Sequence, residues 1–262
     1  MCALMITDQD VIKLFRDFSR INLGLTEAEI MVKNKQLFLG IESTLNCERH
    51  FQIFKRFNVI PKYCFDCIKV LVTPRNVVEH FKLLMIFEQI KLPLDNVRKC
   101  MVEGRPDCSG TYKGFIYCNS IEEGNKLGMI VRKAVSEDIS PQVSVTVKRG
   151  CSEFELAYPG YAQINPVIMH YKKDWQIHED YFDNNFVGHR RAPDANDNTP
   201  YVSTDGLKTY TRGEILCMQH WLRYAATIGD TSYLAITEMA IPPYPRLKRP
   251  PFKNKIPFKT NN

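Results

Sequence analysis

The order of strand and helix patterns between residues 63 and 160 constrains the fold of this chain more than any other feature. Short segments rich in β-branched residues alternate there with longer segments whose apolar residues recur at helical spacing. The predicted strands cover residues 67–72, 98–103, 111–118 and 143–147, and the predicted helices cover residues 73–91 and 120–136. This β-α-β-β-α-β order predicts an α+β protein with a ferredoxin-like antiparallel sheet, in which the spatial order of the strands is fourth, first, third, second.

Patterns on either side of these elements predict further structure. Phe154, Leu156 and Tyr158 alternate after the turn at Arg149-Gly150, which predicts one extra strand. Thr73-Pro74 predicts the start of the first core helix, because proline is favoured at the first helical position. We therefore divide the chain into a helical N-terminal lead that packs on the core, the core itself, an irregular loop with C-terminal helices, and a basic proline-rich tail. These regions cover residues 1–62, 63–160, 161–241 and 242–262.

Composition and charge narrow the class of protein. Apolar residues make up 44% of the chain and charged residues 24%, which is typical of a soluble globular protein, and no apolar run predicts a membrane span. The net charge of +6 comes from the tail, because residues 246–262 hold six basic residues and no acid. Nine cysteines, in a chain whose first residues lack the pattern of a secretory signal, predict reduced thiols or metal ligands in the cytoplasm.

The predicted topology brings several cysteines to one end of the sheet. The start of the first strand lies there beside the ends of the third and fourth strands. Because strands are about 4.8 Å apart, sulfur atoms at these positions are near enough to share a zinc ion or an iron–sulfur cluster. The predicted ligands are Cys64, Cys67, Cys118 and Cys151. Cys100, on the second strand, is predicted to be marginal to this set, and simple packing of small thiols is the alternative.

Cationic residues beside the same cysteines predict thiol chemistry as a second hypothesis. Lys148 and Arg149 precede Cys151 in the sequence, and a neighbouring positive charge favours the reactive thiolate. Cys151 would then be the nucleophile, with His178 as its base. Lys148 and Arg149 would bind a small anionic substrate.

A third hypothesis rests on the strand at 111–118. Its sequence Lys113-Gly-Phe-Ile-Tyr117 resembles the start of the RNP1 signature of the RNA recognition motif family. In that family a lysine and two aromatic residues at alternate positions face outward and contact RNA. The resemblance implies that Lys113, Phe115 and Tyr117 bind RNA. The non-enzymatic alternative is therefore an RNA- or protein-binding module, with the basic tail as a segment for a protein partner.

The remaining motifs give less specific indications of function. Residues 183–206 form a long polar segment of the kind that serves as a lid or binding loop. His178-Glu179-Asp180, just before it, offers metal ligands or an acid–base pair. The sequence contains none of the usual dinucleotide, P-loop, nucleophile-elbow or kinase motifs. We therefore expect a cysteine-centred site, used for thiol catalysis or for metal binding.

Overall fold

The computed structural model describes residues 6–20, 36–39, 45–94, 96–105, 108–186, 200–202 and 210–237. The longer helices are α1 (Asp8–Arg20), α2 (Cys47–Phe57), α4 (Val77–Gln89), α5 (Ile121–Asp138), α7 (Gln176–Phe186) and α8 (Arg212–Ile228). The short helices are α3 (Lys62–Asp66), α6 (Ser152–Ala157) and α9 (Leu234–Thr237), with 3-10 turns at Pro159–Ala162 and Lys173–Trp175. The strands are β1 (Gln36–Leu39), β2 (Ile68–Thr73), β3 (Arg98–Val102), β4 (Tyr112–Cys118), β5 (Ser144–Arg149), β6 (Pro200–Val202) and β7 (Tyr210–Thr211).

Five strands form one antiparallel sheet in the order β1-β3-β4-β2-β5, and β6 pairs separately with β7. The central strand β2 aligns its neighbours: Ile68 lies opposite Cys118 of β4 and opposite Arg149 of β5. The predicted mixture of helices with an antiparallel sheet is confirmed. The order places the start of β2 beside the ends of β4 and β5.

One face of the sheet packs against α4 and α5 and forms the main apolar core. Val70, Val72 and Ile116 are fully buried on this face. Side chains alternate between the two faces of a strand, so the odd-numbered residues of β2 point away from these helices. The sheet therefore has a helix-covered face and an opposite face, and these names are kept below.

Polar side chains fix where the two core helices begin. The predicted start of α5 is confirmed, because Ser120 accepts a hydrogen bond from the Glu123 amide at 3.2 Å. The predicted start of α4 at Thr73-Pro74 is wrong. Thr73 still belongs to β2, where it pairs with Ser144, and Asn76 caps the helix by accepting from the Glu79 amide at 2.9 Å.

The extra strand predicted at residues 154–158 is also wrong, because this segment lies in α6 and the turn after it. Gly150 adopts a φ of 53°, which turns the chain away from β5. Phe154 and Tyr158 then share one helix face, and the Tyr158 amide donates to the Phe154 carbonyl at 2.8 Å. The alternation of Phe154 and Tyr158 with the exposed Leu156 is therefore compatible both with the two-residue period of a strand and with the 3.6-residue period of a helix. The fifth strand of the sheet is β1 instead.

A second, aromatic core lies beyond the end of the sheet, where α2, α3, α6 and α7 meet. A buried carboxylate joins these elements. Glu179 of α7 accepts hydrogen bonds from the Lys62 amide at 2.7 Å, from Arg49 at 3.0 Å and from the Tyr171 hydroxyl at 2.9 Å. With these partners, Glu179 holds helices together, which is a structural use of the predicted His178-Glu179-Asp180 cluster.

The basic tail at 242–262 lies outside the described residues. The same is true of the polar segment at 183–206, except that 183–186 belong to α7 and 200–202 form β6. Among the helices that the structure describes, none is both long and apolar enough to cross a membrane.

Candidate functional site

A narrow cleft opens where β2 begins and β5 ends. The enclosed part of this cleft is small, with a volume of about 10 Å³, which is room for about one water-sized molecule. Loops and helix ends from four parts of the chain contribute to its walls. The lining residues are Leu45, Cys47, His50, Phe51, Tyr63, Cys64, Cys67, Tyr117, Gly150, Cys151 and Phe154. Four cysteines and one histidine thus share a small, mostly apolar space.

A hydrogen bond between Lys69 and Cys151 is the main polar contact beside this cleft. The Lys69 Nζ atom lies 3.1 Å from the Cys151 Sγ atom. Lys69 is only 3% exposed. Burial alone would lower the pKa of Lys69, but the facing Cys151, together with Tyr117 and Cys67, outweighs burial and raises this pKa well above its usual range. The pair therefore places an ammonium against the Cys151 sulfur, an arrangement that favours the thiolate form of a cysteine.

The strand register explains why a lysine is buried here. Lys69 lies between Ile68 and Val70 on β2, so it points to the opposite face of the sheet. Its ammonium lies 4.9 Å from the centre of the Tyr117 ring and 5.6 Å from that of Phe115. Aromatic faces attract a cation, and this attraction offsets part of the cost of removing the ammonium from water. The same rings keep the lysine aimed at Cys151.

A glycine turn positions Cys151. The Gly150 amide donates to the Cys67 carbonyl at 2.7 Å, which extends the β2–β5 pairing by one residue. A Cβ atom at Gly150 would overlap the hydroxyl of Tyr161, and the φ of 53° disfavours other residues as well. The Tyr161 hydroxyl itself donates to the Cys64 carbonyl at 2.6 Å. Gly150 therefore allows α3 and the Cys151 turn to approach closely.

The other cleft cysteines are held as neutral thiols. Burial raises the pKa of Cys47 to about 11, although Lys69 acts in the opposite direction. Burial, with the charge on Cys151, raises the pKa of Cys64 well above the usual range. The pKa of Cys67 is also raised by burial, and Lys69 again opposes the rise. Cys151 is thus the cysteine that Lys69 bonds directly, and its neighbours are protonated at neutral pH.

His50 is the histidine of this cleft. It is buried and stacks on Tyr63, with 5.3 Å between the ring centres. Burial, aided by the charge of Arg49, lowers the pKa of His50 to about 4. The imidazole is therefore neutral near pH 7 and has a lone pair that accepts a proton or a hydrogen bond.

The structure brings three of the four predicted metal ligands to this cleft, namely Cys64, Cys67 and Cys151. Cys118 lies on the helix-covered face, since it pairs with Ile68 in the register. Its sulfur donates to the Ile116 carbonyl at 3.6 Å, and burial raises its pKa to about 12. Among the described residues, no group of three or more His, Cys, Asp or Glu side chains is arranged to hold a metal ion. Cys100 also lies in the helix-side core.

The predicted anion-binding residues have other partners. Lys148 forms an ion pair with Glu155 at 3.0 Å. Arg149 is buried; its guanidinium lies 5.7 Å from the Phe65 ring centre, and it donates to the Tyr161 carbonyl at 3.4 Å.

The predicted base, His178, does not line the cleft. It stacks on Phe57 at 5.1 Å, in the aromatic core around α7. The histidine that lines the cleft is His50 instead.

The residues that resemble the RNP1 signature lie on the opposite face, but they are not open to solvent. Lys113, Phe115 and Tyr117 are 4%, 9% and 7% exposed. The Lys113 ammonium lies 3.4 Å from the Glu103 carboxylate. Base stacking needs an accessible ring, so this arrangement gives RNA little surface to contact.

Sequence analysis missed three residues of the site. Lys69 has a signal in the sequence, because a lysine alternates there with Ile68 and Val70 in an otherwise apolar strand. Cys47 and His50 have none, because α2 reaches the cleft through long-range packing and not through any spacing along the chain. No protein-family model, curated protein or solved structure matches this chain, so the site is defined by its geometry alone.

Proposed function

We propose that the protein is a thiol-dependent enzyme in which Cys151 is the nucleophile. The observation that carries this proposal is the 3.1 Å contact between the buried Lys69 ammonium and the Cys151 sulfur. A thiolate, and not a thiol, attacks electrophiles, and a fixed ammonium stabilises the thiolate. Cys151 is also partly exposed in the cleft, so a substrate can reach it.

The cleft favours a small substrate. Its walls are largely apolar, and Lys69 supplies positive charge beside Cys151. A small electrophile that develops negative charge during attack fits this combination. His50, being neutral, lines the same cleft and has a lone pair that can accept a proton or a hydrogen bond there. Lys69 and His50 thus take the parts that sequence analysis gave to Lys148, Arg149 and His178.

The finer description of the fold and location belongs to the same proposal. The βαββαβ order of β2 to β5, with α4 and α5 on one face, supports a ferredoxin-like core that β1 extends at one edge. All eight described cysteines are free thiols, which supports a reducing compartment such as the cytoplasm.

Alkylation kinetics test the nucleophile. In the purified protein, the rate of iodoacetamide modification of each cysteine is measured by mass spectrometry at pH 7. Cys151 is expected to react about tenfold or more faster than Cys118, because only Cys151 is paired with an ammonium. Lys69→Met should reduce the Cys151 rate about tenfold or more.

Lys113→Met is the matched control for this experiment. Lys113 is equally buried on the same face of the sheet, but it pairs with Glu103 and not with a thiol. This variant should leave the Cys151 rate unchanged. If Lys69→Met and Lys113→Met react alike, or if wild-type Cys151 reacts no faster than Cys118, the proposed function is wrong.

A further inference from the structure

The cleft holds a second thiol, Cys67, beside Cys151. Ile68 pairs with Arg149, so Cys67 lies opposite Gly150, and Cys151 is one residue further along. The hydrogen bond from the Gly150 amide to the Cys67 carbonyl, 2.7 Å long, fixes this alignment. Cys151 follows the turn at Gly150, and both cysteines line the same cleft. The two thiols therefore share one small space, as a reactive cysteine and its resolving partner require.

We propose that Cys151 and Cys67 form a peroxide-reducing pair, in which Cys151 is oxidised by a small hydroperoxide and Cys67 resolves the product as a disulfide. This inference rests on the proposed function, because it uses the Cys151 thiolate as the nucleophile. It adds the substrate class, which is hydrogen peroxide or a small alkyl hydroperoxide. The cleft is small and partly open to solvent, and the partly exposed Cys151 lies in its wall, so small reagents are favoured over large ones.

The first step is a two-electron oxidation of sulfur. The Cys151 thiolate attacks one peroxide oxygen, the O–O bond breaks, and an S–O bond forms. The departing oxygen takes up a proton and leaves as water or an alcohol, and Cys151 becomes a sulfenic acid. Lys69 stabilises the attacking thiolate at 3.1 Å and the negative charge that develops on the peroxide.

Oxidation of Cys151 then changes the electrostatics of Cys67. Burial raises the pKa of Cys67, Lys69 and Lys99 lower it, and the charge on Cys151 raises it. A sulfenic acid is neutral, so the contribution of Cys151 disappears while that of Lys69 remains. The ammonium that stabilised the first thiolate is thus available to the second one. Cys67 becomes a better nucleophile only after Cys151 has reacted.

In the second step the Cys67 thiolate attacks the Cys151 sulfur. The S–O bond breaks, a Cys67–Cys151 disulfide forms, and the oxygen leaves as water after taking up a proton. Two equivalents of an external low-molecular-weight thiol then reduce this disulfide and return both cysteines to the starting state. Cys64 is held more rigidly, because its carbonyl accepts the Tyr161 hydroxyl, and its side chain is 5% exposed.

Peptide mapping after oxidation tests the pair. The full-length protein is treated with one equivalent of hydrogen peroxide, and its disulfides and sulfenic acids are identified by mass spectrometry with a dimedone trap. Wild type should yield mainly the Cys67–Cys151 disulfide and little trapped sulfenic acid. Cys67→Ser should accumulate trapped Cys151 sulfenic acid by about tenfold over wild type, and Cys67→Ala serves if the serine variant folds poorly.

Control variants assign the resolving thiol. Cys64→Ser and Cys47→Ser should still form the Cys67–Cys151 disulfide, and Cys118→Ser, altered on the helix-covered face, should behave as wild type. A wild-type disulfide between Cys151 and Cys64 or Cys47 overturns the assignment of Cys67. If iodoacetamide modifies Cys151 rapidly but peroxide does not oxidise it, the peroxide inference fails while the proposed function stands. If neither reagent reacts preferentially with Cys151, the proposed function fails as well.

Discussion

The helix-covered face of the sheet is apolar, whereas the opposite face carries buried lysines among aromatic rings and thiols. Ile68 and Val70, on the first face, are 4% and 0% exposed, and Lys69 between them is 3% exposed on the second. Burying valine stabilises the protein, but burying an ammonium costs free energy unless its partner compensates. The same strand therefore stabilises the protein on the helix-covered face, and on the opposite face it carries a buried polar group that costs free energy. Such a group is typical of a functional site.

Two lysines of the opposite face show what distinguishes the site. Lys113 faces Glu103, whose carboxylate is also bonded by Arg105 at 2.7 Å. Burial would raise the pKa of Glu103, but the Arg105 hydrogen bonds outweigh it and lower this pKa to about 2. Glu103 is thus an anion whether or not Lys113 is present. Lys69 instead faces the sulfur of Cys151, so under the proposed function only the second pair generates a reactive group.

Truncating a core residue under the helix-covered face should have the largest effect on stability. Phe81 is fully buried and makes edge contacts with Phe15 at 4.8 Å and Trp221 at 5.7 Å. Phe81→Ala is expected to reduce the free energy of unfolding by about 3–5 kcal/mol, because it removes apolar contacts and leaves a cavity. Urea denaturation measures this change. Leu156→Ala, at an exposed position, should cost less than about 0.5 kcal/mol, and a similar small loss at Phe81 would refute the assigned core.

Low pH should destabilise the protein through His80, which is buried under the helix-covered face. This histidine is fully buried beside Trp221, 4.4 Å between ring centres, and the described residues give neither ring nitrogen a hydrogen-bond partner. Burial lowers its pKa to about 3, from an ordinary value of 6.5. Between these values the unfolded chain binds a proton that the folded chain does not. The contribution of neutral His80 to the free energy of unfolding is therefore fully present above pH 6.5. It is lost progressively as the pH falls toward 3.

The expected slope due to His80 is about 1.4 kcal/mol per pH unit below 6.5. His80→Phe should remove this slope, as measured by urea denaturation at several pH values between 4 and 7. His50 supplies a comparable slope down to its pKa of about 4, so His80→Phe flattens the profile without abolishing it. A profile unchanged by His80→Phe would show that His80 is charged or hydrated in the folded protein.

The four core strands and the start of α5 could be predicted because local patterns determine them. β2 and β5 alternate or are β-branched, and Ser120 with Glu123 satisfies the first turn of α5 through its own neighbours. The segment at 154–158 was mispredicted because two apolar residues four apart and one between them fit both a strand and a helix. Its outcome depends on the Gly150 turn, whose partner, Tyr161, comes later in the sequence.

The site could be predicted only in part, for a different reason. The ends of paired strands place Cys67 and Cys151 together, and this placement follows from their positions next to β2 and β5. Cys118 lies at the same end, but its pairing with Ile68 turns it to the helix-covered face. Position along a strand determines the end of the sheet, and odd or even parity determines the face. Cys47 depends on the packing of α2, which no local pattern specifies.

Lys69→Met is expected to change stability little, although Lys69 is central to the proposed chemistry. Removing one partner of a buried ion pair usually destabilises a protein, because it leaves an unpaired charge. In Lys69→Met the partner is a cysteine, which can remain as a neutral, partly exposed thiol and leaves no unpaired charge. The methionine side chain fills similar space between Phe115 and Tyr117. The free energy of unfolding is therefore expected to stay within about 1 kcal/mol of wild type, or to rise by up to about 2 kcal/mol.

Urea denaturation of Lys69→Met and wild type at pH 7, alongside the alkylation rates, measures both properties of the same proteins. If Lys69→Met keeps its stability but loses Cys151 reactivity, Lys69 serves to activate Cys151 and does not stabilise the fold. A loss of more than about 2 kcal/mol would instead make Lys69 a structural residue of the opposite face, like Lys113 with Glu103. Both faces of the sheet would then have a structural role only, and they would differ in polarity alone.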